Sequence, residues 1–151
     1  KVLWSIALPG FAQIINGSLF KGIVFIGLEI LINVQSNFNE IIIMSFHGEI
    51  EQAIAHTNYQ WLMFYPCIYF FAIWDAYDEA EGEKRPLAFL PFVFSAYLVT
   101  VGLIYSPNFE VNGILLGPMW LPILSLPLGI LVGSFIRYVL LKFIYNRKRN
   151  S

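Results

Sequence analysis

Glu29 sits in GIVFIGLEILIN, a stretch otherwise almost entirely apolar. On insertion scales a charged carboxyl there costs about 2.5 to 3.5 kcal/mol, so such a group stays protonated, hydrogen-bonds inward or serves as a proton or cation site. Upstream, PGFAQIINGSLFKG (Pro9 to Gly22) breaks an apolar run with turn-forming and polar residues. Pro9 interrupts helical hydrogen bonding, and Gly10 lets another backbone approach. Gln13 and Asn16, three apart, present their amides on one helical face toward the protein interior. Asn16-Gly17 supplies a turn, because both residues tolerate positive φ, and Lys21 extends its ammonium toward the headgroups. Pro9, Gly10, Gln13, Asn16, Gly17, Lys21 and Glu29 thus read as a polar hinge or an ion or proton site, with Glu29 about 13 Å above the turn, at the depth of Pro9 and Gly10, where the carbonyl that Pro9 frees at Ser5 is one candidate partner.

Three other groupings bear on chemistry. His47 and Glu51 are spaced i, i+4, with Glu49 and His56 nearby, a weak metal pattern that lacks the defined three-ligand set of a catalytic zinc site. Asp75 and Arg137 fall near the same ends of their segments and are expected to form an interhelical ion pair. Gly129 and Gly133 form a GxxxG pair for close helix packing. No metal and no cofactor is expected, and no P-loop, Rossmann glycine pattern, GxSxG, HExxH or paired catalytic carboxylates appear. Cys67, the single cysteine, excludes an internal disulfide.

The elements that hold these residues are set by composition. Of 151 residues, 58% are hydrophobic and 13% charged, with a mean hydropathy of +0.66; soluble domains carry roughly 25% charged residues. The 17% aromatic content suits a bilayer protein, since Trp and Tyr collect at the headgroup level. Four stretches approach the roughly 20 residues that a crossing helix needs: Leu19 to Asn33, Trp61 to Trp74, Leu87 to Tyr105 and Met119 to Leu141. The expected fold is therefore all-α, a single integral membrane domain over 1–151. It is a polytopic bundle of four full crossings, preceded by a short or re-entrant segment, Val2 to Asn16.

Charge sets the orientation. Lys21, Lys84, Arg85, Lys142, Arg147, Lys148 and Arg149 fall at alternate segment ends, with Arg137 close by, and the stretches between lack Lys and Arg. Positive residues stay on the cytoplasmic side, so 35–60 and 106–118 are expected outside and the C-terminal tail inside. The segment 35–60 reads as one or two amphipathic helices about Gly48, lying on the outer leaflet or capping the bundle. Asn112-Gly113 suggests a small hairpin. Arg147, Lys148 and Arg149 suit anionic lipid headgroups and make a cluster too small for nucleic acid.

The residues Pro9, Gly10, Gln13, Asn16, Gly17, Lys21 and Gly22 resemble the hairpin PG-x-GQ-x-YNG-x-x-x-KG of small multipass membrane proteins of bacteria. Ala12 and Ile15 depart from it, and it covers only Pro9 to Gly22. The resemblance implies a bacterial cytoplasmic-membrane protein and transfers no activity. The expected role is a non-enzymatic accessory or assembly protein that binds other membrane proteins, itself or lipid. A small transporter using Glu29 and Gln13 is the alternative, and a lipid-modifying enzyme relying on the outer histidines comes third.

Overall fold

The computed structural model describes residues 8–81 and 85–149, and it is all-α apart from one small hairpin. Its helices are α1 (Phe11–Ile15), α2 (Leu19–Ser36), α3 (Phe38–Phe46), α4 (Ile50–His56), α5 (Tyr59–Leu62), α6 (Phe64–Glu81), α7 (Leu90–Tyr105) and α8 (Gly117–Arg149). Strands β1 (Glu110–Val111) and β2 (Ile114–Leu115) pair antiparallel between α7 and α8. Their turn is the expected Asn112-Gly113, with φ of 53° and 78°, the signs a type I′ turn requires. Pro66, Pro91 and Pro118 each fall in a first helical turn, where the missing N–H has no helical acceptor. Pro122 and Pro127 lie inside α8.

Two helices, α2 and α8 through Arg147, are long and apolar enough to cross a membrane, and in each only 17% of the most apolar window is buried. That is fewer than the four full crossings expected. The segment expected from Trp61 to Trp74 divides at Met63 into α5 and α6. The 18 residues of α6 include Asp75, Asp78, Glu79 and Glu81, too many charges for its length. Leu87 has φ 57°, so α7 begins only at Leu90 and its 16 residues rise about 24 Å, short of roughly 30 Å of hydrocarbon. Whether Val2 to Asn16 crosses or re-enters turns on residues 1–7, which lie outside the described residues, as do Lys1 and the Ser5 carbonyl.

The long helices pack in sequence order: α2 against α6, α6 against α7, and α7 most extensively against α8. The last contact depends on small residues. A Cβ on Gly129 would stand 2.5 Å from Ser95 Cα, and one on Gly133 would stand 2.6 Å from Pro91 Cα. The GxxxG pair therefore seats α8 on α7 of the same chain. About two turns farther along α7, a Cβ on Gly102 would meet Ser125 Oγ at 2.6 Å.

Segment 35–60 forms the two helices α3 and α4, and they cap this row. Asn37 at the end of α2 takes φ 59°, a conformation asparagine tolerates better than most residues, and its amide donates to the His56 carbonyl at 2.9 Å. Ile41 and Ala53 from the cap join Leu62 and Leu103 in the buried core, with Phe38, Tyr65 and Met119 packed around them. Trp120 of α8 donates to the Ser45 carbonyl at 3.3 Å and packs against Phe46 in a tilted ring contact, with centroids 5.0 Å apart.

Candidate functional site: a polar seam between the hairpin and α6

The hairpin motif is built by three glycines with different tasks. Gly17 closes α1: its N–H donates to Ile14 O at 3.0 Å, while Ser18 N–H reaches Gln13 O at 2.8 Å. This is the paired bonding of a Schellman cap, which needs one left-handed residue. Gly17 has φ +90°, whereas Asn16 stays helical at φ −79°, so only the glycine uses the positive φ expected of both. Gly10 and Gly22 instead allow contact between the arms. A Cβ on Gly10 would lie 2.5 Å from Gly22 O, and one on Gly22 would meet the Ile14 side chain and lie 2.7 Å from Gly10 O.

Gln13 is fully buried. Its Nε2 donates to Ala72 O at 2.8 Å and to Asp75 Oδ2 at 3.2 Å, tying the hairpin to α6. Lys21 Nζ lies 3.0 Å from Asp75 Oδ1 and 2.8 Å from Glu79 Oε1, and Ser18 Oγ donates to Glu79 Oε1 at 3.2 Å. Asp75 and Glu79, one helical turn apart, would repel each other; the ammonium between them offsets this and holds the Glu79 carboxyl below the usual carboxylate range. Asn16 lies beside Glu79, yet both its amide atoms and Gln13 Oε1 are buried without a hydrogen-bond partner. That leaves donor and acceptor capacity for water within the seam.

Asp75 is thus committed to Lys21 and Gln13, and the expected ion pair with Arg137 does not form. Arg137 Nε donates instead to the Pro86 carbonyl at 3.3 Å, because α7 stands between the two helices that carry the charges.

Glu29 lies on α2 beside Tyr65, which is within hydrogen-bonding reach of its carboxyl. Tyr65 stacks on Tyr69 with ring centroids 5.6 Å apart. Glu29 Oε2 is buried without a partner. Gln13 and Glu29 therefore meet different stretches of α6, separated by the contact of Phe25 with Phe71, and do not form one site.

The histidines do not converge. His47 is the C-cap of α3, and His56 Nδ1 lies 2.9 Å from Gln52 O of its own helix. Among the described residues no three His, Cys, Asp or Glu side chains are placed to hold a metal, Glu51 included. In the basic tail, Arg147 is exposed, and the Lys148 and Arg149 side chains lie outside the described residues.

Ser18, Tyr65 and Glu79 belong to these clusters but were not singled out from sequence; the i, i+4 spacing of Asp75 and Glu79 opposite a hairpin lysine was the available signal for Glu79. Comparison with known proteins adds no family: no protein-family model, curated protein or solved structure matches the chain.

Proposed function

We propose that the protein is a multipass component of the bacterial cytoplasmic membrane that acts without catalysis, as an accessory or assembly factor for other membrane proteins or for lipid. One observation carries this reading. Gln13 Nε2, Ser18 and Lys21 of the hairpin are engaged with α6, at the Ala72 carbonyl, Asp75 and Glu79, while the outward faces of the helices are apolar, with Phe20 81% and Phe143 72% exposed. The seam serves as a clamp, and the surface offered to partners is greasy.

In this proposal α2, α5 with α6, α7 and α8 make four crossings, with the turns at Leu87–Phe89 and Tyr105–Asn108 completing the short α7. Lys21, Arg85, Lys142 and Arg147 share the cytoplasmic side, whereas α3, α4 and the β-hairpin stand outside. The bacterial assignment rests on the resemblance of the hairpin motif.

A transporter remains the second reading, favoured by the unpartnered Oε2 of Glu29. Two measurements separate them. Purification in mild detergent should retain a membrane protein or lipid in stoichiometric amount. Liposomes holding a pH dye under a potassium–valinomycin voltage should show no proton flux above empty vesicles. A leak that disappears in Glu29→Gln would overturn the accessory reading.

A further inference from the structure

One polar residue of the hairpin motif makes no side-chain bond. Gln13, Ser18 and Lys21 all reach α6, but the Asn16 Nδ2 and Oδ1 atoms are enclosed without a partner, and so is Gln13 Oε1. The orientation of the Gln13 amide is fixed by its surroundings. Its Nε2 meets the Ala72 carbonyl at 2.8 Å and Asp75 Oδ2 at 3.2 Å, and a flipped amide would press Oε1 against these two acceptors. Gln13 Oε1 is therefore the atom left over. Asn16 follows three residues later on the same face and lies beside Glu79, so the orphaned atoms belong to one end of the seam.

Side-chain exposure falls along the seam, from 50% at Lys21 through 26% at Glu79 and 14% at Asp75 to the fully buried Gln13, so the Lys21 end gives solvent a polar way in. Hydrogen-bonding capacity selects the occupant. The orphans comprise two acceptor oxygens and one donor nitrogen. A metal ion would satisfy the oxygens and do nothing for Asn16 Nδ2. The Lys21 ammonium, moreover, already stands 3.0 Å and 2.8 Å from the two carboxylates, where it repels a second cation. Water both donates and accepts, and a buried water typically makes about three hydrogen bonds to polar groups that lack other partners.

We propose that the buried end of the seam binds ordered water, bonded to Gln13 Oε1 and to the Asn16 amide. The water gives Asn16 its part in the motif: direct bonds from Gln13, Ser18 and Lys21 fix the hairpin on α6, and Asn16 joins them through solvent.

The full chain in detergent, isotope-labelled at asparagine, is measured by NMR for cross-relaxation between water and the side-chain amides. The Asn16 signal, assigned by its loss in Asn16→Leu, should show a water cross-peak of the sign given by contacts outlasting about a nanosecond, while the exposed Asn112 should show only passing solvent. The Asn16 cross-peak should persist in Ser18→Ala, which removes a hydroxyl of the same seam that would relay it. Thermal unfolding supplies an independent sign. Asn16 is helical at φ −79°, so leucine fits its backbone and is the better helix former. Replacing a dry, unpaired amide by leucine would raise the melting temperature, whereas removing a water-bonded one should lower it by several degrees. Melting should also be equal in sodium, potassium and N-methylglucamine chloride of matched ionic strength. Absence of the Asn16 cross-peak, its loss in Ser18→Ala, melting of Asn16→Leu at or above wild type, or stabilisation by one cation alone would each overturn the proposal. None of these measurements involves a partner or a flux, so their outcome stands apart from the accessory reading.

Discussion

Two glycines of α2 should respond oppositely to the same substitution. At Gly27 a Cβ meets nothing within 4 Å, so Gly27→Ala should only reduce the conformational freedom of the unfolded chain and favour the helix, stabilising by about 0.5–1 kcal/mol. At Gly22 the same methyl would stand 2.7 Å from Gly10 O and 3.2 Å from Ile14 N, besides meeting the Ile14 side chain. Two of those atoms are backbone and cannot rotate away, and Gly10 is itself held at φ +94°. Overpacking of this kind costs about 1–3 kcal/mol, which outweighs the gain in helix propensity of up to about 1 kcal/mol. Gly22→Ala should therefore destabilise by about 1–2 kcal/mol and melt several degrees below Gly27→Ala. Tryptophan fluorescence during thermal unfolding in detergent would read the difference. If Gly22→Ala melts with or above Gly27→Ala, the hairpin arms do not touch at these glycines and the account of the motif fails.

Three further outcomes follow from the seam and the Glu29 cluster. Asp75→Leu should destabilise more than Arg137→Gln, because it removes the partner of Gln13 and Lys21 while the arginine bonds one carbonyl; equal melting would show that the seam contributes nothing. The Lys21 ammonium holds the Glu79 carboxyl below its usual range, so the stabilisation is present above the ordinary carboxylate range and lost as pH falls through the depressed folded value. The melting gap between wild type and Lys21→Met should accordingly narrow between about pH 5 and pH 3, and a constant gap would remove the ion pairs from the explanation. Glu29→Gln retains hydrogen bonding to Tyr65, whereas Glu29→Leu leaves that hydroxyl without its partner at about 1–3 kcal/mol; identical melting of the two variants, or no effect of Tyr65→Phe, would dissolve the pairing.

Much of this protein was legible in the chain itself. The helical class, the apolar segments of α2 and α8, the Asn112-Gly113 hairpin and the break at Gly48 are local, written in runs of apolar residues and in residues that tolerate left-handed backbone. The buried orientation of Gln13 was also readable, because an amide in an apolar run has few other places to go. Which groups meet was decided by packing. Asp75 pairs with Lys21 and not Arg137 because α6 lies along α2 and stands apart from α8, an order that charge spacing does not encode. The second and third expected crossings are not single long apolar helices for a related reason: hydropathy counts residues but does not register the break at Met63 or the left-handed Leu87 that shortens α7. Gly129 and Gly133 announced a close contact, and only the fold identified its partner as Pro91 and Ser95. The distance between Gln13 and Glu29, which depth along the chain had brought together, was likewise set by Phe25 and Phe71 packing between the positions where each meets α6. Local backbone preference and solvation act on neighbours in sequence, whereas pairing depends on which helices lie side by side, and that is a property of the whole packed chain.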